Sequence, residues 1–296
     1  MEKKIIFITG SSGFLGKFFL ESALSKGYKI IDILRLKNKS NKNLNFLRKK
    51  YANTYKSIFF KNNSEIEQKL KHEKIDYFIN FATLYKNTHN HKDILKFTDS
   101  NIEFPTIILD LVCSKVKKII NFGTMMQHTD GENHTPKNFY ASTKSAFEMI
   151  LNFYTSTYKN IKFYNLKFYE SFAEKDQRKK LIPILFSNYR KNIVTKVNSN
   201  KLELNIIHVN DLINAIYIIL KNNVKSGSYC LCQKNNIKIS NLIFKINKIL
   251  KRKLKIKYLN YKIEKIKKSK LKILMRWKSD KEIEKKIINM FYNENN

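Results

Sequence analysis

Thr9-Gly10-Ser11-Ser12-Gly13-Phe14-Leu15-Gly16 holds three of the chain's seven glycines at three-residue spacing. The run before it, Lys3-Lys4-Ile5-Ile6-Phe7-Ile8-Thr9, reads as a buried strand. Phe14, Leu15, Phe18 and Phe19 after it fall at helical spacing. A glycine turn between a first strand and a first helix has a specific physical use. Gly10 lets the chain leave the strand sharply, Gly13 lets backbone approach a pyrophosphate, and Gly16 lets the helix pack closely on the strand. The helix N-terminus then presents N–H groups and the positive end of its dipole to the phosphates.

Outward from that turn, short β-branched runs alternate with helical patterns. Further strands are expected at 28–34, 57–60, 75–82, 116–122 and 161–168, with helices near 64–73 and 101–114 and another beginning at Tyr140. Such alternation means βαβ units, and right-handed crossovers make them an α/β, Rossmann-type doubly wound parallel sheet. The Lys- and Asn-rich stretch 36–56 reads as an insertion without defined structure. Beyond about residue 170 the rhythm loosens: helices are expected near 179–190, 211–222, 240–250 and 280–291, and strands near 204–208, 228–232 and 254–259. The expected domains are 1–168, binding the dinucleotide, and 169–296, a smaller α/β substrate lobe, with segments near 204–232 interleaved with the first.

The chain has 296 residues, 43% of them hydrophobic, which excludes wholesale disorder. Lys+Arg number 58 against 24 Asp+Glu, a net charge of +34. Only six of the basic residues are Arg, and the lysines are dispersed among abundant Asn and Ile. Base readout and phosphate clamps favour Arg, so no dedicated nucleic-acid partner is expected. Three cysteines do not make a disulfide scaffold and point to a reducing compartment. The first apolar run is too short for a signal peptide, and none approaches the ~20 residues that span a bilayer. A cytoplasmic protein without a membrane span is expected. His89-Asn-His91 has no accompanying ligand cluster, so no metal is expected.

Tyr140-Ala-Ser-Thr-Lys144 is the second motif. Positions i and i+4 share a helix face, and a nearby cation favours the phenolate, making the phenol a usable acid near neutral pH. The strand before it ends Ile119-Ile-Asn-Phe-Gly-Thr124, placing a hydroxyl at the strand terminus.

Taken in this order, the motifs resemble the extended short-chain dehydrogenase/reductase superfamily, in its nucleotide-sugar epimerase, dehydratase and reductase family. Asp76-Tyr-Phe-Ile-Asn-Phe-Ala82, Asn101 and His208-Val-Asn-Asp211 match further family motifs; Met275-Arg276-Trp277-Lys278 resembles its G-W-x-P segment without the Gly and Pro. The resemblance implies a triad of Thr124, Tyr140 and Lys144. It implies cofactor contacts from Thr9, Gly10, Ser12, Gly13, Phe14, Leu15, Gly16, Arg35, Phe81, Ala82, Thr83 and Asn101, with Tyr140 and Lys144. It implies substrate contacts from Thr124, Met125, His128, Glu170 and Arg178, where Arg178 or Lys179 replaces a diphosphate-binding Arg whose place is taken by Leu204. Strand two ends Ile33-Leu34-Arg35: Leu34 stands where NAD-specific enzymes carry an acid, and Arg35 beside it suits the 2′-phosphate of NADPH; Asp32 lies two residues earlier.

Thr124 is followed by Met-Met-Gln-His rather than the acid that sugar-4,6-dehydratases carry, which argues against elimination chemistry. Gly123–His128 and Leu166–Phe172 are similar to CDP-abequose and CDP-paratose synthases. The implied reaction is NADPH-dependent 4-ketoreduction of a nucleoside-diphosphate 6-deoxy or 3,6-dideoxy hexose, in deoxysugar synthesis for surface polysaccharide. The alternatives are a nucleotide-sugar 4-epimerase with tightly bound NAD and a non-catalytic dinucleotide-binding regulator. A homodimer is expected, through an apolar stripe of Phe147, Ile150, Leu151 and Tyr154. The basic stretch 245–286 reads as a Lys-rich helical face.

Overall fold

The structure, a computed structural model, describes residues 4–174, 176–263 and 267–293. Lys3, where the first strand was expected to begin, and residues 264–266 of the basic stretch lie outside them. In chain order the strands are β1 (Ile5–Thr9), β2 (Lys29–Arg35), β3 (Tyr55–Phe60), β4 (Tyr77–Asn80), β5 (Lys118–Thr124), β6 (Lys162–Phe168), β7 (Glu170–Phe172), β8 (Thr195–Val197), β9 (Glu203–Leu204), β10 (Ile206–His208), β11 (Gly227–Cys230), β12 (Ile237–Lys238) and β13 (Ile256–Tyr258). The helices are α1 (Phe14–Ser25), α2 (Lys42–Lys50), α3 (Ile66–Leu70), α4 (Ile94–Thr98), α5 (Phe104–Val112), α6 (Phe139–Thr157), α7 (Leu181–Lys191), α8 (Val209–Lys221), α9 (Ile239–Ile249) and α10 (Ile283–Tyr292).

Seven strands form one parallel sheet in the order β11-β6-β5-β4-β1-β2-β3. The order reverses at β1, so the doubly wound reading holds, and the glycine turn lies at that switch point. One compact unit comprises residues 1–167, 215–230 and 269–275; the other comprises 168–214, 231–268 and 276–296. The second is therefore not a continuous C-terminal lobe, because 215–230 supplies β11 to the large sheet.

The first unit's core packs Phe7, Phe78, Ile108, Leu109, Phe147 and Leu151 around the strands. Through these strands runs a buried polar row. The Thr9 hydroxyl donates to Asn80 Oδ1 (2.6 Å), Asn80 Nδ2 to Asn121 Oδ1 (2.9 Å), and Asn121 Nδ2 to Asn165 Oδ1 (2.9 Å). The register that pairs Thr9 with Asn80 and Asn80 with Asn121 makes this possible. The second unit is built differently: two-stranded sheets, β10–β7, β12–β9 and β13–β8, sit around an apolar cluster that includes Phe172, Leu185, Ile239, Ile246, Ile287 and Phe291.

Several expectations are corrected. Residues 36–56 are ordered: Asn41 caps α2 by accepting from the Leu44 amide (3.1 Å), and Leu44 and Leu47 are buried, an N-cap and stripe hidden by the Lys/Asn composition. Phe147 and Leu151 are fully committed to the core, with Ile150 and Tyr154 packed against it. The α6 stripe is thus an internal surface; the large apolar residues α6 exposes are Met149 and Phe153. Arg276, standing where the family has Gly, adopts a left-handed backbone (φ 66°), while Trp277 Nε1 still donates to the Asp211 carbonyl (2.8 Å). Cys113 is free, whereas Cys230 and Cys232 are disulfide-bonded, contrary to the expectation of unpaired cysteines. Among the described residues no helix is long and apolar enough to cross a membrane.

Candidate active site

The glycine turn is built under tight steric limits. Gly10 has φ +74°, and a Cβ there would lie 2.5 Å from the Ala82 amide nitrogen. A Cβ on Gly16 would lie 2.2 Å from the Gly10 carbonyl oxygen. At Gly13 the situation is opposite: within 4 Å a Cβ would meet only the Gly10 carbonyl oxygen, at 3.2 Å. Gly13 is the N-cap of α1, and no side chain caps the helix. A helix N-terminus whose amides no side chain caps is what a pyrophosphate requires, so the loop fits a dinucleotide. Such a group would rest on Gly10, Ser12, Gly13 and the first turn of α1 (Phe14, Leu15).

Behind the loop, Asp32 is fully buried. Its Oδ2 accepts from the Ser11 hydroxyl (2.5 Å) and the Tyr55 hydroxyl (2.7 Å), and its Oδ1 has no partner. Burial raises its pKa, opposed by these hydrogen bonds. Arg35, at the end of β2, is partly exposed, pairs with Asp99 (2.6 Å) and lies over the Phe60 and Phe104 rings. Phe81 stacks on Phe122 (5.3 Å), and the Thr9 hydroxyl accepts from the Ala82 amide (3.3 Å). Asn101, buried on the π-turn Asp99–Glu103, binds the Leu84 amide (2.6 Å) and Thr83 hydroxyl (3.2 Å) through Oδ1. Its Nδ2 reaches the Thr143 hydroxyl (2.9 Å), tying the segment that follows β4 to the residue beside Lys144.

Thr124 ends β5 and caps the short turn Met125–Gln127, its Oγ1 accepting from the Met126 amide (3.2 Å). That bond leaves the hydroxyl hydrogen to donate. Asn138 caps α6 by accepting from Ala141 N (3.0 Å), so the helix begins at the residue before Tyr140. The Tyr140 ring meets Tyr85 edge-on at 4.9 Å. Lys144, one turn on, is buried, and burial lowers its pKa to about 8 against the opposing charge of Glu148. α6 packs on β5 and on the turn Met125–Gln127, which brings Thr124, Tyr140 and Lys144 to one end of the sheet.

His128 is buried with both ring nitrogens engaged: Nδ1 with the Asn133 carbonyl (2.8 Å), Nε2 with Lys167 Nζ (2.6 Å). Burial first, then the Lys167 charge, hold its pKa below the usual range. Met125 is buried as well. His128, His134 and Glu148 offer ligand atoms within 4.8 Å of one another, but Lys167 Nζ bonds both His128 and Glu148 Oε2 (2.7 Å). This cation site is served by the chain's own ammonium.

In the second unit, Arg178 is held by Asp176 (2.7 and 3.0 Å) and the Ser171 carbonyl (2.7 Å), and Glu170 pairs with Lys180 (3.2 Å). Arg178, Lys179, Arg190 and Lys191 line a cavity of about 1060 Å³ with Asp176 and Phe186. His208 bonds Glu174 (3.0 Å) and stacks edge-on with Phe172, a strand-end anchor.

With this geometry in place, similarity to known proteins can be weighed. A model of the NAD dependent epimerase/dehydratase family matches residues 6–232. The chain belongs to this family. It is 27% identical over 221 residues to the CDP-abequose synthase of Yersinia pseudotuberculosis, covering 74% of each chain, and 26% identical over 235 residues to that of Salmonella typhimurium, covering 77% of this chain and 73% of the relative. The fold matches UDP-N-acetylglucosamine 4-epimerase from Methanobrevibacter ruminantium with a TM-score of 0.81 at 19% identity, over 99% of this chain and 100% of that one. Family membership makes the chain a nucleotide-sugar-modifying enzyme of the NAD-dependent oxidoreductase type, with a nicotinamide dinucleotide as cofactor.

Sequence reasoning missed the residues that tie these motifs together: Asn138, Gln127, Glu148, and the row of Asn80, Asn121 and Asn165. The available signal was an amide within the apolar run of each of three strands, since buried amides are retained only with partners.

Proposed function

We propose that this protein reduces the 4-keto group of a nucleoside-diphosphate 6-deoxy or 3,6-dideoxy hexose with NADPH, as a cytoplasmic enzyme of surface-polysaccharide synthesis. The observation that carries the reading is the likeness to CDP-abequose synthases along about three quarters of both chains, joined to the absence of an acid at Met125–Gln127. Glu148, which reaches this turn, is salt-bridged to Lys167 and so is a poor acid for elimination.

A bound reduced nicotinamide supplies the hydride. As charge develops on the C4 oxygen, the Thr124 hydroxyl donates to it, a dipole fixed beforehand by its own cap bond. Tyr140 transfers its phenolic proton to that oxygen, and the Lys144 ammonium stabilises the phenolate left behind. Gly10, Ser12, Gly13 and the start of α1 hold the pyrophosphate, while Phe81, Ala82, Thr83 and Asn101 form the wall beside it. Arg178 and Lys179 supply cations for the sugar nucleotide's diphosphate, and Glu170 is a polar contact for its sugar. The preference for NADPH is supported by Leu34, buried where an acid would stand, and by Arg35, whose guanidinium reaches the surface while Asp32 stays behind Ser11. A homodimer would use the exposed Met149 and Phe153; a monomer mass in light scattering at micromolar concentration rejects it.

The test incubates enzyme, a panel of 4-keto nucleotide sugars and NADPH, and counts NADPH oxidised per product. Stoichiometric consumption is expected. Interconversion of 4-hydroxy sugars without added cofactor overturns the reading.

A further inference from the structure

Gln127 and Glu148 carry no role in the proposed reaction, yet both are buried beside the triad. Glu148 lies one turn beyond Lys144 and two beyond Tyr140, on the same face of α6. Its Oε2 accepts from Gln127 Nε2 (2.8 Å) and from Lys167 Nζ (2.7 Å), and its Oε1 from the Ser228 hydroxyl (2.9 Å). Gln127 in turn accepts from the Thr124 amide through Oε1 (2.9 Å). A side chain at Gly123 would collide with this assembly: its Cβ would stand 2.8 Å from Gln127 Oε1 and 2.9 Å from Lys167 Cγ.

We infer that Glu148 is a positioning residue, which through Gln127 fixes the backbone of Thr124 against the helix that carries Tyr140 and Lys144. The chain Thr124–Gln127–Glu148 is a short hydrogen-bonded strut between β5 and α6, and its far end is anchored on β6 by Lys167 and on β11 by Ser228. It is a side-chain tie between the strand that ends in the hydroxyl and the helix that carries the phenol, and misplacement by an ångström is costly in catalysis. Glu148 has a second effect. Burial would raise its pKa, but Lys167 and the hydrogen bonds hold its carboxyl below the usual range, so a negative charge persists four residues from Lys144. The charged and titratable groups facing it are Lys144 on α6, Lys167 on β6, and His128 and His134 on the segment after β5. Of these, Lys144 is the one whose protonation the proposed reaction needs.

The strut rests on the 4-ketoreductase reading only for its kinetic consequence; its structural consequence is measured without substrate. Hydrogen exchange at the Thr124 amide in the enzyme without substrate should accelerate about tenfold in Gln127→Met and Glu148→Ala, the loss of one hydrogen bond. In turnover, Glu148→Gln and Gln127→Met should each lower kcat about tenfold with KM nearly unchanged. Only Glu148→Gln should move the alkaline limb of the pH profile, about half a unit downward, because only it removes the anion near Lys144. A merely structural carboxylate would not separate the two variants in this way. If Glu148→Ala does not fold, Gln127→Met and Glu148→Gln decide. Unchanged Thr124 exchange in Gln127→Met, or identical pH profiles for both variants, overturns the inference. Absence of turnover on any 4-keto sugar nucleotide with normal exchange behaviour refutes the reductase reading instead and leaves the strut standing.

Discussion

The interiors of the two units are organised on opposite terms. The first threads a hydroxyl and three amides, Thr9–Asn80–Asn121–Asn165, through its sheet and ends the row beside Gly123 near the end of β5. The second closes on aliphatic and aromatic side chains and keeps its charges, Arg178, Lys179, Arg190 and Lys191, around a cavity. Buried amides must be paired in register, so they fix the geometry of neighbouring strands more sharply than apolar contacts do. Fixed geometry suits proton and hydride transfer; a charged rim on an apolar core suits binding of an anion. Under the proposed function, the difference matches chemistry in the first unit and recognition in the second.

The largest expected effect breaks or sustains that division. Tyr140→Phe should lower kcat by ~10²–10⁴-fold while cofactor affinity stays nearly intact. Arg178→Ala should act mainly on KM. If steady-state kinetics show Arg178→Ala lowering kcat as much as Tyr140→Phe does, the division fails.

The two interiors should also differ in what they lose on substitution. Phe291, fully buried in the second unit, should cost about 3–5 kcal/mol as Ala, through transfer and cavity. Asn121→Leu keeps the volume but strands Asn80 Nδ2 and Asn165 Oδ1, at about 1–3 kcal/mol. Denaturant titration of both variants measures the order, and a neutral Asn121→Leu would show the row to be dispensable.

The same contrast explains what could be read from the sequence. The first unit announces itself through local spacing: three glycines between β1 and α1, then Tyr140 and Lys144 one turn apart. Those spacings are dictated by sterics and helix geometry, which act within a few residues. The amide row is invisible at that range, because Asn80, Asn121 and Asn165 are about forty residues apart and become a unit only when strand register aligns them. The α6 stripe is ambiguous for a related reason: helical spacing says that Phe147 and Leu151 face something apolar, not whether it is their own sheet or a second chain. In the second unit, β7, β8 and β12, strands of two or three residues, carry too little periodicity to be seen, whereas β10 and β13 fall within the stretches 204–208 and 254–259 expected to be strands; Asn41 was lost among lysines although its cap starts α2.

A pH titration sharpens the assignment of chemistry to α6. Lys144 has a folded pKa of about 8 because burial disfavours its charge. Its ammonium, which in the proposed reaction supports the Tyr140 phenolate, is therefore present below that value and lost as pH rises through it. In the free enzyme kcat/KM should fall above about pH 8, approaching tenfold per unit. Arg178→Ala should leave the midpoint in place, since guanidinium does not titrate there. A flat profile to pH 10 would remove Lys144 from the proton-transfer step.

The smallest effect concerns cofactor choice, where the first unit itself does recognition. Arg35 has its side chain 36% exposed and spends part of its charge on Asp99, so its contact with a 2′-phosphate is screened by solvent and shared. A charge-assisted bond is worth about 1.5–3 kcal/mol at best, and this exposure argues for the lower end, about tenfold in affinity. Arg35→Ala should therefore weaken NADPH about tenfold and NADH hardly at all, as read by binding titration of both cofactors. Asp99→Asn tests the sharing: with its partner's charge removed, Arg35 should hold the 2′-phosphate more strongly and NADPH should tighten, with NADH unmoved. Equal losses for NADPH and NADH in Arg35→Ala would mean that the guanidinium only braces β2 against the π-turn through Asp99.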